Sequence, residues 1–113
     1  MSSGRSASGR TPRSRGRVAR REPIPQGWTF LSNHAHVLLC LSRDATPTLR
    51  DVAGKVGITE RAVQKIVLDL EREGILVRKR DGRRNTYSLD LDRPLRHPLE
   101  SHRSVRVLVD LVR

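Results

Sequence analysis

Residues 49–68, LRDVAGKVGITERAVQKIVL, restrict the fold of this chain more than any other stretch. Val52, Ala53 and Val56 share one face of a short helix. Gly57 stands where that helix must stop, because a residue without Cβ takes the left-handed conformation at little cost. Thr59 is placed to cap a second helix by accepting a hydrogen bond from a free N–H of its first turn. Ile58 before that cap and Val63 four residues after it have the spacing of a hydrophobic staple. Val63, Ile66, Val67 and Leu70 then recur at i, i+3, i+4, i+7, the buried face of a helix. Arg61, Gln64, Lys65 and Arg72 fall on the opposite face, and all are hydrogen-bond donors. A side chain larger than that of Ala53 would hold the two helices apart. The pattern predicts a helix-turn-helix whose second helix is built to enter a major groove. An ordinary helical hairpin with a solvated basic face is the plainer alternative for this stretch taken alone.

The flanking segments extend the pattern. Trp28, Phe30 and Leu31 lead into Ser32 or Asn33, either of which can cap a helix. Val37, Leu38, Leu39, Cys40 and Leu41 fill that first helix to about Ser42, and its apolar circumference predicts packing on more than one side. Thr48 with Asp51 has capping-box spacing, so the second helix is expected from about Leu49 to Val56 and the third from about Glu60 to Glu73. Gly74 ends the third helix. Strand character follows over residues 75–80 and 86–89, with Asp81-Gly82 between them as a hairpin turn signal. The base of the hairpin is apolar through Ile75, Leu76, Val77, Tyr87 and Leu89. Its tip is cationic through Arg78, Lys79, Arg80, Arg83 and Arg84. A bare hairpin of that charge is a marginal structure; beside the third helix it becomes a wing. Pro94 and Pro98 hold the next connection, and residues 101–112 are expected as a fourth helix. Val105, Leu108 and Val112 share a face there, widened by Val107 and Leu111. Such a stripe needs cover, either from the first helix or from a second copy of the chain. The expectation is self-association through Val105, Leu108, Leu111 and Val112.

Charge supports a polyanionic partner. The 113 residues carry a formal charge of +11, which favours nucleic acid. Residues 1–26 hold seven Arg against one Glu, and residues 27–113 remain at +5. The first segment is Ser, Gly, Arg and Pro with few aliphatic side chains, too little apolar surface to offset its ordering entropy. It is expected to be a disordered basic arm, with residues 27–113 forming the folded domain. Arg13, Arg15, Arg17, Arg20 and Arg21 suit phosphate contact or minor-groove insertion; a solvated tail adding only nonspecific affinity is the favoured alternative. Trp28, Phe30 and Tyr87 are the only aromatic residues, which disfavours single-strand binding by base stacking. One cysteine, Cys40, excludes an internal disulfide framework. No apolar run is long enough to span a bilayer, and the N-terminus lacks the apolar core of a secretory signal. A cytoplasmic, nucleoid-associated protein is expected.

The order helix, helix-turn-helix, basic hairpin, helix now resembles a bacterial or archaeal winged helix-turn-helix transcriptional regulator of the broad MarR- and ArsR-like kind. LRDVAGKVGITERAVQKIVLDLEREG followed by ILVRKRDGRRNTYSL carries the resemblance. It implies an α+β fold, mainly helical, with a two- or three-stranded wing and a C-terminal helix. It also implies dimeric binding to double-stranded DNA and control of transcription. By that resemblance Thr59, Glu60, Arg61, Gln64 and Lys65 correspond to recognition-helix contacts, and Arg83, Arg84 and Asn85 to the wing tip. The chain is shorter than full-length MarR proteins and lacks their long flanking dimerisation helices.

The chemistry of these residues stands beside the resemblance. Arg61 and Lys65 can donate to guanine O6 and N7, and Gln64 suits adenine N6 and N7. Glu60 can accept from a cytosine amino group, although favourable placement at a helix N-terminus explains it more simply. Arg78, Arg80, Arg83 and Arg84 suit phosphate, which holds register but carries little sequence information. His34, His36 and Cys40 lie close together, with His36 and Cys40 at i, i+4 and His97 and His102 later, and two side chains at that spacing can share a metal. Cys40 among leucines is more simply a buried thiol, so no metal and no cofactor are expected. No Ser/His/Asp set, Gly-rich phosphate loop or close carboxylate pair has the spacing of an active site, and an enzyme is not expected. Neither is a small-molecule ligand evident. The rival from another class is a winged helix that docks protein or RNA without operator specificity.

Overall fold

The computed structural model describes residues 23–113. The expected arm therefore lies outside the described residues, apart from Pro23–Gln26. Four helices and one hairpin follow in the order α1 (Asn33–Arg43), α2 (Leu49–Val56), α3 (Glu60–Arg72), β1 (Leu76–Asp81), β2 (Arg84–Leu89) and α4 (Arg106–Val112).

Local chemistry sets most boundaries. Ser32 caps α1 by accepting from the Ala35 N–H at 3.2 Å. Thr48 and Asp51 close a reciprocal capping box on α2, at 3.0 and 3.3 Å. Gly57 terminates α2 at φ +89°, and its N–H bonds back to the Ala53 carbonyl at 2.8 Å. Thr59 caps α3 by accepting from the Ala62 N–H at 3.0 Å.

The three helices enclose one core. Val37, Val52, Val63 and Val67 are fully buried together, and Leu38, Leu41, Leu70 and Leu76 complete the packing. Ala53 is buried between α2 and α3, as their close approach requires. Ile58 packs against this core from the turn.

The wing is a two-stranded antiparallel hairpin in which Leu76 faces Leu89 and Asp81 faces Arg84. Gly82 and Arg83 are therefore the two turn residues, one position later than Asp81-Gly82. Gly82 has φ +65° while no non-glycine residue among those described has positive φ. Glycine at the first central position is the pattern of a II′ turn, whose twist suits a hairpin. Val77 also departs from expectation. It lies on the outer face of β1 and is exposed, because Leu76 rather than Val77 takes the core side of the pleat. The Tyr87 N–H donates to the Ala45 carbonyl at 2.9 Å, so the α1–α2 loop adds one strand-like bond to the inner edge of the wing.

The C-terminal helix is shorter than expected. Ser104 pairs with Pro94 in an isolated bridge, and α4 begins only at Arg106. Backbone bonds from the Val105 and Arg106 N–H groups to Arg93 and Leu91 hold its start against the preceding connection.

Candidate nucleic-acid interface

The outer face of α3 divides into two halves with different employment. At the N-terminal half, Glu60, Arg61, Gln64 and Lys65 are exposed. Among the described residues none of these side chains makes a hydrogen bond or ion pair. Thr59 is occupied as the cap. Glu60 is the acidic residue of the first turn, where it complements the helix dipole.

The C-terminal half is tied into the fold. Asp69 accepts from His34 of α1 at 2.8 Å, which holds its carboxyl below the usual carboxylate range. Glu71 pairs with Arg78 of β1 at 3.2 Å. Glu73 meets Arg96 at 3.4 Å, and its carbonyl accepts from the Arg93 guanidinium at 3.1 Å. Asp69, Glu71 and Glu73 at the C-terminal end thus serve as structural ties, and the free donors of α3 gather at the end nearest the helix-turn-helix turn.

One residue on this face escaped the sequence reading. Leu68 follows Gln64 by four positions and Lys65 by three, so it continues their row. It is 45% exposed. A pattern search for donors passes over it, and its exposure is the signal that marks it.

The wing residues divide in the same way. Arg78 is half-buried and committed to Glu71, so it is not a free cation at the tip. The Arg80 guanidinium donates to the Gly82 carbonyl at 3.0 Å and braces the turn. Arg83 occupies the turn and Arg84 the start of β2, both exposed; Asn85 is half-buried. Lys79 is exposed on the outer face. Neither Lys79, Arg83 nor Arg84 makes a side-chain hydrogen bond or ion pair among the described residues.

The expected self-association stripe is partly covered within its own chain. Val105 is 2% exposed and belongs to the core of its own chain, and Leu108 packs against that core. The helix turns this side toward α1, which satisfies part of the stripe within one molecule. Leu111 and Val112 remain exposed. Trp28 and Phe30 do too, at 75% and 91%, with their rings edge-to-face at 5.0 Å. Thr29 between them and Val112 line one groove over α1.

His36 and Cys40 line one groove, while His34 and His97 are engaged elsewhere. His34 is engaged by Asp69, His36 lies 3.4 Å from Asn33, and His97 accepts from the Leu99 N–H at 3.0 Å. Half-burial pushes the Cys40 thiol up. Among the described residues no group of three or more His, Cys, Asp or Glu side chains is arranged to hold a metal. A cleft of about 300 Å³ opens between α1, α3 and the 94–100 connection, lined by Leu38, Leu70 and Leu95 with Asp69 and Arg96. No helix among the described residues is long and apolar enough to cross a membrane.

Comparison with known proteins places this arrangement. Residues 33–77 match a family model described as winged helix-turn-helix DNA-binding. Over these residues the chain is similar to winged helix-turn-helix DNA-binding domains, and its helices and hairpin have the winged-helix fold. The PcaV transcriptional regulator of Streptomyces coelicolor, solved with its natural ligand, is 27% identical, with a TM-score of 0.51 over 72% of this chain and 56% of its own. A variant of Lactococcus lactis ZitR shares the fold at 20% identity, with a TM-score of 0.52 over 80% of this chain and 56% of its own. The chain thus spans little more than half the length of these solved relatives. No curated protein matches it.

Proposed function

We propose that the protein is a transcriptional regulator that binds duplex DNA in a sequence-specific way, with α3 in the major groove and the wing on the flanking backbone. One observation carries this reading. The fold ties up Asp69 and Glu71 in the C-terminal half of α3 and leaves Arg61, Gln64 and Lys65 exposed on one helical face, beside a hairpin that ends in Arg83 and Arg84. An exposed row of donors can read base edges, while the wing cations meet phosphate. Leu68 extends the row with an apolar group suited to a thymine methyl. Lys79 replaces Arg78 as a wing cation, since Arg78 is held by Glu71.

The active species in this reading is a homodimer on an inverted repeat, its half-sites about one helical turn apart. Exposed Trp28, Phe30, Leu111 and Val112 supply apolar surface for the second copy. PcaV is a transcriptional regulator, which supports a regulatory rather than an enzymatic reading. The test is binding selection from a random duplex library at moderate salt. A recovered inverted repeat supports the proposal. Binding without any recovered motif, lost as salt rises, refutes operator recognition.

A further inference from the structure

The wing is gripped from both sides at a single rung. Arg78 of β1 lies directly opposite Tyr87 of β2. On the β1 side, Nη2 of Arg78 donates to Oε1 of Glu71 on α3 at 3.2 Å. On the β2 side, the Tyr87 N–H donates to the Ala45 carbonyl at 2.9 Å, and the Tyr87 side chain is buried in the core. Among the described residues, no hydrogen bond or ion pair ties residues 79–86 to the helices; the Arg80 bond to the Gly82 carbonyl stays within the wing. At about 3.3 Å per strand residue, the turn stands roughly 13 Å beyond the gripped rung. A tilt of about 15° there carries the tip roughly 3 Å, the length of a hydrogen bond.

Glu71 follows Leu68 by three positions and Gln64 by seven, so it stands on the same side of α3 as the donors. A carboxylate beside that row opposes phosphate. It is nevertheless part of the most shielded ion pair among the described residues, with side chains 30% and 29% exposed. What it holds explains its place: the arginine that roots the cationic tip.

We propose that the Glu71–Arg78 pair fixes the angle of the wing against α3, and so sets the distance from the bases under α3 to the phosphates that Arg83 and Arg84 hold. This rests on the duplex-binding reading above. Both members act as positioning residues, through Arg83 and Arg84 rather than by touching DNA. Charge alone makes the opposite prediction. Losing Glu71 removes a negative group and frees a guanidinium beside it, which by itself strengthens binding to any duplex and steepens the salt slope by about 0.9 per phosphate gained. A pair that positions the wing makes the same loss weaken binding.

The experiment uses the full chain on two labelled duplexes, one carrying the motif recovered by selection and one of scrambled sequence. Hydroxyl-radical footprints and the salt dependence of affinity are read for the unchanged chain, for Glu71→Gln, for Arg78→Gln, and for the exchanged pair Glu71→Arg with Arg78→Glu, which keeps the net charge. Circular dichroism and urea unfolding select the variants that retain the fold. Glu71→Gln is expected to lose protection of the flank under the wing, to flatten the salt slope, and to bind the motif about threefold or more weakly. Arg78→Gln should lose the same flank. Protection under α3 persists in both, and affinity for the scrambled duplex does not fall, because no fixed register has to be matched there. The exchanged pair should restore the flank.

An affinity for the motif that Glu71→Gln leaves unchanged or raises, with the wing flank still protected, would overturn the proposal. So would an exchanged pair that folds and fails to restore the flank. If the unchanged chain protects neither duplex, the DNA-binding reading itself fails, a result visible before any variant is compared.

Discussion

At the scale of single residues, the division of charged side chains into occupied and free ones decides what each can do. Arg78 and Arg61 have the same guanidinium, but Arg78 lies beside Glu71 while Arg61 faces solvent. Replacing Gln64 or Arg61 by Ala should relax base preference at one position per half-site, costing about 1–3 kcal/mol of discrimination. Competition binding against singly mutated operators measures this. If Arg83→Ala changed the preferred sequence and Gln64→Ala did not, the groove assignment would be wrong. Leu68→Ala should weaken preference for thymine at one position while leaving the salt slope alone, since no charge is lost.

Asp69 belongs to the structural half of the same helix. The His34 hydrogen bond, the largest contributor, lowers its pKa below the unfolded value. A carboxylate with a depressed folded pKa adds stability above its unfolded pKa and loses it as pH falls through the folded one. The difference in Tm between the unchanged chain and His34→Ala should therefore shrink as pH falls through the carboxylate range. Thermal unfolding across that range checks it; a difference that grew toward acid would contradict the assigned tie.

At the scale of elements, the turn between α2 and α3 is the most sensitive point. Gly57 has φ +89°, and a Cβ there would meet Ile24 at 3.0 Å. Gly57→Ala should cost more than about 1 kcal/mol in chemical denaturation, because the conformation and the contact are both unfavourable. The wing behaves differently, since Arg83 and Arg84 make no side-chain tie to the fold among the described residues. Changing both to Ala should leave the unfolding midpoint unchanged and weaken all duplexes alike, reducing the salt slope by about one unit per lost phosphate contact. A sequence-dependent loss would mean that the wing reads bases.

At the scale of the whole molecule, the apolar residues divide into a core and an uncovered remainder. Val105 and Val109 seal α4 onto its own chain, whereas Trp28, Phe30, Leu111 and Val112 face outward from the entry segment and the last turn. Leu111→Asp should preserve folding, as that side chain is exposed, and shift the sedimentation equilibrium from dimer toward monomer. Affinity for an inverted repeat should then fall toward that for a single half-site. A dimer that survived this change unaltered would place the interface elsewhere.

Much of the architecture was legible in the chain because its determinants are local. Capping by Thr48 and Thr59, the stop at Gly57 and the i, i+3, i+4 row of Val63, Ile66 and Val67 are interactions between near neighbours, so residue type and spacing are enough to read them. The exposed donors on α3 followed from that row, since the face opposite a buried stripe is open by geometry. Hairpin register was less legible. Asp81-Gly82 and Gly82-Arg83 both satisfy the turn chemistry, and only the fit of Leu76 and Tyr87 into the core selects one. The commitment of Arg78 to Glu71, the tie of His34 to Asp69 and the seating of Ile24 on Gly57 join groups distant in sequence. The division of α4 between a buried start and an exposed end has the same origin. Sequence by itself determined the helix-turn-helix, the wing and the donor face. Tertiary structure alone decided which charges remain free and which apolar side chains stay uncovered, because both depend on packing partners that no local pattern specifies.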